Sequence, residues 1–123
     1  MTSHKNQRFR ARLGFAMRGL AHALRTEASL RLQALAGAAA FLVLLALRPP
    51  AVWWALVLLT SAAVVAAELF NTAIEHLADL LHPQQSPGIR LVKDCAAAGV
   101  LVAVLGALGV AAALLVHLLS GAP

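Results

Sequence analysis

Charged side chains are scarce in this chain, and acidic side chains are the scarcest. Only 12% of the 123 residues are charged, 61% are hydrophobic, and just five residues are acidic. This balance excludes an ordinary soluble domain and is typical of a small integral membrane protein. The excess of basic residues gives a net charge of +5. Membrane orientation and anionic headgroups explain that charge, so we expect no nucleic-acid partner.

Several common functional motifs are also missing. The single cysteine, Cys95, excludes an intrachain disulfide framework, and there is no CxxC pair. The sequence has no GxxxxGKS/T phosphate-binding loop, no protein-kinase signature and no GxGxxG fingerprint. Its five histidines do not form a typical metal-ligand pattern. Any phosphate chemistry must therefore use a different set of residues.

Three apolar segments predict three membrane-spanning helices, at about residues 32–47, 51–80 and 94–119. Crossing the hydrocarbon takes about 20 residues, so the first segment needs its flanking residues to reach both interfaces. A basic stretch at about residues 7–28 precedes the spans. Its apolar residues recur every three or four positions: Phe9, Leu13, Met17, Leu20 and Leu24. This pattern predicts an amphipathic surface helix, so the expected fold is a single all-α membrane domain.

Basic residues are distributed unevenly between the two sides of the predicted spans. Seven of the ten precede the first span, Arg90 and Lys93 lie between the second and third, and only Arg48 falls on the other side. By the positive-inside rule, the N-terminus and the second loop are expected in the cytoplasm. Trp53 and Trp54 then fall at the outer interface, where tryptophan is enriched.

Three of the five acids occupy one helix, directly after 17 uncharged residues: Glu68, Glu75 and Asp79. At about 100° per residue they share one stripe, which Asn71 and Thr72 flank. Carboxylates at the end of a lipid-buried helix are costly and indicate function. Glu68 and Glu75 are roughly 10 Å apart along the axis, so we expect them not to chelate one ion together. A metal held by Glu75 needs a ligand from another element, for which Glu27 is the candidate.

Two prolines and a glycine after Asp79, namely Pro83, Pro87 and Gly88, predict a loop up to Lys93. Lys93 and Asp94 then open the predicted third span. Asp94 can simply cap that helix, and Lys93 can simply add to the charge bias. In the functional interpretation, Lys93 contacts phosphate oxygens. Phosphoryl transfer needs a divalent cation, a cationic contact to the phosphates and a base that orients a hydroxyl. The sequence thus suggests two carboxylates for the cation, a third for the proton and a lipid hydroxyl as acceptor.

The pattern Glu68-x-x-Asn71-Thr72-Ala73-Ile74-Glu75-x-x-x-Asp79, followed by Lys93-Asp94, resembles the signature of the prokaryotic diacylglycerol kinase family. The resemblance extends over roughly residues 8–119. It implies a small homotrimeric membrane kinase with composite active sites between neighbouring protomers. In this family, ATP with Mg²⁺ phosphorylates a lipid alcohol at the cytoplasmic face of the bacterial inner membrane.

The resemblance also implies a role for each matched residue. Glu68 is expected to be the catalytic base, and Glu27 and Glu75 are expected to hold the Mg²⁺ that bridges the ATP phosphates. The expected ATP-binding residues are Arg8, Phe15, Glu27, Asn71, Glu75, Lys93 and Asp94, with Arg8 and Phe15 near the adenine. The expected lipid-binding residues are Ser29, Arg31, Gln33 and Glu68. The chain departs from the family pattern at residues 84–86, which lack the acidic or aromatic side chains of some members, and at Ala97, which replaces a small polar residue.

Two substrates and one different function class stay open at this point. The family contains enzymes acting on diacylglycerol and others acting on undecaprenol, and we favour diacylglycerol, which would give phosphatidic acid. A small cation- or proton-coupled transporter is the remote alternative. Such a transporter is expected to carry an acid near mid-span, whereas the acids here lie at one end of the second span.

Overall fold

A computed structural model describes residues 4–121, with side chains from residue 8 onward. Within this range the chain forms four α-helices and no strand: α1 (His4–Thr26), α2 (Ala28–Leu47), α3 (Ala51–Leu81) and α4 (Pro87–Ser120). The last three are each long and apolar enough to cross a membrane. The predicted all-α architecture, with three spans after a surface helix, is therefore confirmed.

Helix α1 is amphipathic, and its apolar side lies uncovered in the single chain. Phe9, Leu13 and Met17 are all exposed, as expected of a helix whose apolar face contacts a bilayer surface. The helix ends at Thr26, and Glu27 is the one residue between α1 and α2. Its backbone is extended, with φ −106° and ψ 108°. Glu27 therefore lies at an interruption between two helices that follow each other directly.

The turn between α2 and α3 contains two prolines and an unusual arginine. Arg48 adopts the left-handed conformation, with φ 46° and ψ 55°, and its amide donates to the Leu44 carbonyl. A left-handed residue followed by proline is a common way to end a helix, because proline cannot continue it. Pro50 then directly precedes α3, so the first two spans are antiparallel neighbours joined by a short turn.

Helix α4 begins earlier than the sequence suggested. The Pro87-Gly88 pair indicated a loop that continued to Lys93, but the helix starts at Pro87. Proline suits the first helical position, because its missing amide hydrogen has no partner there. The Ser86 hydroxyl accepts the Ile89 amide and caps the helix. Asp94 lies well inside α4, so its interpretation as a helix cap is wrong.

Helix α3 is the central element, and α4 and α2 pack along it. One buried residue from each span, Leu44, Val57 and Leu114, forms the largest buried apolar cluster among the described residues. Trp53 and Trp54 pack against this cluster at the start of α3. The core therefore sits at the end of the bundle away from the acidic stripe.

Most large apolar side chains on the spans are exposed in the single chain, for example Leu59, Val102 and Leu119. Lipid or a neighbouring chain must cover them, because exposure of so large an apolar surface to water is unfavourable. Helix α3 has 31 residues and is about 46 Å long, against roughly 30 Å of hydrocarbon. If its first turn lies at one interface, residues from about Glu68 onward reach the other. The protein is a multi-pass membrane protein whose acidic residues lie at one boundary.

Candidate active site

Glu68 is the most buried ionisable side chain of the acidic stripe, with 5% of its surface exposed. The Ser29 hydroxyl of α2 donates a hydrogen bond to its Oε2 atom over 3.1 Å. Val64 and Thr72, one turn before and one turn after, are buried on the same side of α3. The polar stripe therefore faces the protein interior at this turn, as expected because polar side chains are costly in contact with lipid.

Asn71 carries an unpaired buried atom. Its side-chain oxygen is buried and has no hydrogen-bond partner in the described part of the chain. Such orphaned atoms are rare in native structures, because each one loses its hydration without replacement. Asn71 lies one turn before Glu75 on α3, so an amide oxygen and a carboxylate are neighbours there. The pair offers oxygen ligands to a bound group.

The two carboxylates expected to hold a metal come from different elements. Glu75 is partly buried on α3, and Glu27 is partly buried at the interruption between α1 and α2. The Glu27 side chain does not cap α2. The end of α1 lies beside this part of α3, because the His22 ring meets the His76 ring edge-on, with centroids 5.7 Å apart. Both carboxylates thus belong to the same end of the bundle.

The donor chemistry of this region fits Mg²⁺. Among the described residues no three His, Cys, Asp or Glu side chains form a metal-binding group. Mg²⁺ takes one or two carboxylates and completes its shell with waters and substrate phosphates, so it does not need such a group. Glu27, Glu75 and the unpaired oxygen of Asn71 are ligands of the hard-oxygen type that Mg²⁺ prefers.

Lys93 does not stand free at the site. Its ammonium forms an ion pair with Asp79 Oδ1 at 2.6 Å, and the two side chains are 33% and 64% exposed. The pair joins the beginning of α4 to the last turns of α3, so both helices present polar groups at one end. Asp94, the next residue, is exposed. Because the pair is largely solvated, a phosphate can compete with Asp79 for the lysine at small cost.

The residues expected near adenine lie on the surface helix. Arg8 is exposed, and Phe15 is 60% exposed. The Arg18 guanidinium lies over the Phe15 ring, 5.1 Å from its centroid. Arg18 was not among the predicted site residues, although its spacing of three from Phe15 on a helix predicts this contact with the ring. In the described part of the chain, no hydrogen bond or ion pair joins Arg8 or Phe15 to the acidic stripe.

Arg31, expected near the lipid, holds the end of α1. Its Nη1 donates to the backbone oxygens of Leu24 at 3.0 Å and Arg25 at 2.9 Å. These carbonyls belong to the last turn of α1, where backbone acceptors lack helical partners. The sequence placed Arg31 near this junction but gave no sign of this contact, which depends on the angle between α1 and α2.

Gln33, the remaining residue of the expected lipid set, lines a groove of about 430 Å³ formed by α2, α3 and α4. The lining is mainly apolar, and its polar members besides Gln33 are Thr60 and Ser61. Val64 also lines the groove, one turn before Glu68. The groove therefore approaches the buried carboxylate from the membrane-spanning part of the bundle.

Comparison with a protein-family model gives a match over most of the chain. The family model described as "Prokaryotic diacylglycerol kinase" matches residues 14–115. This protein belongs to the prokaryotic diacylglycerol kinase family. The matched range contains every expected site residue except Arg8, so the family match does not extend to the basic residue assigned to adenine.

A relative in Synechocystis sp. (strain ATCC 27184 / PCC 6803 / Kazusa), named "Diacylglycerol kinase", is 34% identical over 102 residues. The matched part covers 82% of this chain and 58% of the relative. The chain thus spans a little over half the length of this family member.

Proposed function

We propose that this protein is an ATP-dependent lipid kinase that phosphorylates the hydroxyl of diacylglycerol and gives phosphatidic acid. The observation that carries the proposal is the buried Glu68 carboxylate, which is held by one hydrogen bond beside an apolar groove. Membership of the family and the printed name of the Synechocystis relative support the same reaction class. ATP is the proposed phosphate donor.

Glu68 is the proposed general base. A carboxylate with a lone pair directed at the lipid hydroxyl accepts its proton as the oxygen attacks the γ-phosphorus, and the bond between that phosphorus and the β–γ bridging oxygen breaks to release ADP. Burial suits this role, because water is kept away from the base and the acceptor is the lipid. The position of Glu68 also suits this role, because the hydroxyl of a glycerol headgroup lies close to the membrane boundary.

Glu27 and Glu75 are the proposed ligands of Mg²⁺, with Asn71 beside them. When bound, Mg²⁺ neutralises charge on the ATP phosphates and orients them. The unpaired oxygen of Asn71 would gain a partner in the loaded site. Lys93 would exchange its contact with Asp79 for a phosphate oxygen, and Asp94, Arg8 and Phe15 complete the proposed nucleotide contacts.

The groove between α2 and α4 is the proposed location of the lipid chains. Its apolar lining suits hydrocarbon, and Gln33 gives a polar group at the height of the headgroup. Ser29 and Arg31 precede Gln33 in the first turn of α2 and are proposed to contact the headgroup. Because an apolar groove accepts any hydrocarbon chain, undecaprenol is the alternative substrate, and the headgroup contacts would decide between the two lipids.

We further propose that the acidic end of the bundle faces the bacterial cytoplasm and that the protein works as a homotrimer in the inner membrane. The first proposal follows from the excess of basic residues in α1 and the first turn of α2, and from Arg90 and Lys93 in the first turns of α4. The second follows from family membership and from the exposed apolar side chains of the spans, part of which a neighbouring chain would cover.

Phosphate transfer in mixed micelles tests the proposal. Purified protein is incubated with MgATP labelled at the γ-phosphate and with diacylglycerol or undecaprenol in parallel. Dominant labelling of diacylglycerol is the expected result. Dominant labelling of undecaprenol would keep the reaction and change the substrate, and labelling of neither lipid by a folded protein would contradict the kinase and return the transporter to consideration.

A further inference from the structure

The hydrogen bond between Ser29 and Glu68 connects two helices at the proposed site. Ser29 lies in the first turn of α2, two residues after Glu27, and Glu68 lies on α3. In the described chain, this is the one side-chain hydrogen bond donated to the Glu68 carboxylate. The contact therefore links the segment that carries a proposed metal ligand to the proposed base.

A buried carboxylate needs such a donor. Removing an ionised carboxylate from water without a hydrogen bond is strongly unfavourable, and bonds donated to an ionised oxygen are stronger than neutral ones. The bond also fixes direction, because a carboxylate held at one oxygen presents the other oxygen along a defined line. Ser29 is thus suited to hold Oε2 while Oε1 is left for another group.

The local backbone explains why the serine hydroxyl is available to Glu68. A serine inside a helix commonly donates to the carbonyl four residues earlier, but for Ser29 that residue is Arg25, which lies in α1 beyond the interruption at Glu27. Here the Arg25 carbonyl accepts from the Arg31 guanidinium, and the Ser29 hydroxyl is directed across to α3 instead. Arg31 therefore bonds to the end of α1, and Ser29 bonds to Glu68 on α3.

We infer that Ser29 is a positioning residue for the base, and this inference rests on the proposed kinase function. Ser29 donates to Oε2 and keeps its own proton throughout. Oε1 accepts the proton of the lipid hydroxyl while the new phosphorus–oxygen bond forms and ADP leaves. This role differs from contact with the lipid headgroup, in which Ser29 would act on lipid affinity and leave the base unaffected.

Kinetics of two substitutions test the inference. Ser29→Ala is expected to lower kcat about tenfold or more, because the carboxylate is no longer held in the direction that accepts the lipid proton. The KM values for lipid and MgATP should stay within about twofold, as for a group that acts on the transition state. Ser29→Thr keeps the hydroxyl and should retain most of the turnover. Thr26→Ala removes a hydroxyl near the same helix junction, which donates to the His22 carbonyl and lies outside the proposed site, and serves as the matched control.

Other results would overturn the positioning role. A raised KM for lipid at unchanged kcat in Ser29→Ala would assign Ser29 to the headgroup. Equal loss of turnover in the Ala and Thr variants, together with a lower Tm, would assign it a purely structural role.

A thermal-unfolding cycle of Ser29→Ala, Glu68→Gln and the double variant gives a readout that needs no turnover. If the hydrogen bond stabilises the protein, the Tm changes of the two single variants are not additive. Additive changes would contradict the positioning role of Ser29. If the cycle shows coupling but the wild type transfers no phosphate, the proposed kinase function fails while the contact remains.

Discussion

Glu68 and Asn71, two polar side chains of α3, differ in whether they have a partner. Glu68 accepts from Ser29, whereas the buried oxygen of Asn71 has no partner in the described chain. An unpaired buried polar atom costs about 1–3 kcal/mol. Such an atom next to a carboxylate does not serve stability, and the MgATP complex proposed above would give it a partner.

Replacement of Asn71 by leucine should separate stability from binding. Leucine is close to asparagine in shape and removes the unpaired oxygen, so the free energy of unfolding without nucleotide should be unchanged or higher by up to about 1–3 kcal/mol. The affinity for MgATP should fall, because a proposed contact to the nucleotide is lost. Thermal unfolding in detergent and nucleotide binding measure the two effects.

Thr72→Val is the matched control, since it removes the neighbouring buried hydroxyl and leaves the proposed ligands intact. A large loss of stability in Asn71→Leu with unchanged MgATP affinity would contradict the assignment of Asn71.

At the scale of helices, the junction of α1 and α2 depends on Arg31. Its guanidinium contacts two carbonyls at the end of α1. Arg31→Met should lower stability by about 1 kcal/mol and speed amide hydrogen exchange in the last turn of α1, because that turn loses its donor. Arg25→Met is the control, since the Arg25 side chain is exposed and has no polar partner among the described residues. Equal exchange in the two variants would show that Arg31 does not hold the helix end.

Substitutions of Lys93 and Asp79 test whether the lysine stabilises the fold or contacts a phosphate. An ion pair as exposed as this one contributes at most about 1 kcal/mol, so Asp79→Asn should change stability by less than that. Lys93→Met should weaken MgATP binding well beyond the effect of Arg90→Met, a comparable loss of charge on the same helix. Similar MgATP affinity in both lysine and arginine variants would contradict a phosphate contact by Lys93.

Helices were predictable from the sequence, and contacts between helices were not. Apolar runs and the spacing of the α1 residues depend on one helix at a time, so they indicated the spans and the surface helix. The start of α4 was misplaced because Pro87 was interpreted as a breaker, although proline also suits a first helical turn. The Ser29–Glu68 and Lys93–Asp79 contacts depend on how α2 and α4 are rotated against α3, and no local pattern encodes that rotation.

The same distinction between patterns within one helix and contacts between helices applies to the candidate site. Glu68, Asn71 and Glu75 share a helix, so their common stripe followed from helical geometry. Glu27 stood out as the sole acid among the first 67 residues, and its place at the helix interruption could not be read from spacing. The hydrogen bond of Arg31 to the end of α1 gave no sequence signal, because a backbone carbonyl is not marked by residue type.

At the scale of the whole molecule, a composite site predicts that inactive chains complement each other. Glu68→Gln and Lys93→Met chains, mixed equally and exchanged at random, should regain activity in about one quarter of the sites if each site takes these residues from two neighbouring chains of a closed trimer. Measured subunit exchange is the control. No recovery after verified exchange would indicate that both residues come from one chain.

The turnover of Glu68→Gln, compared with Glu75→Gln, tests the proposed base most directly. Glu68→Gln should lose about 100- to 10,000-fold of phosphate transfer to the lipid, with its Tm and MgATP affinity close to wild type. Glu75→Gln should lose MgATP affinity as well, because a proposed Mg²⁺ ligand is gone. Turnover and MgATP affinity near wild type in both variants would contradict the roles assigned to the acidic stripe.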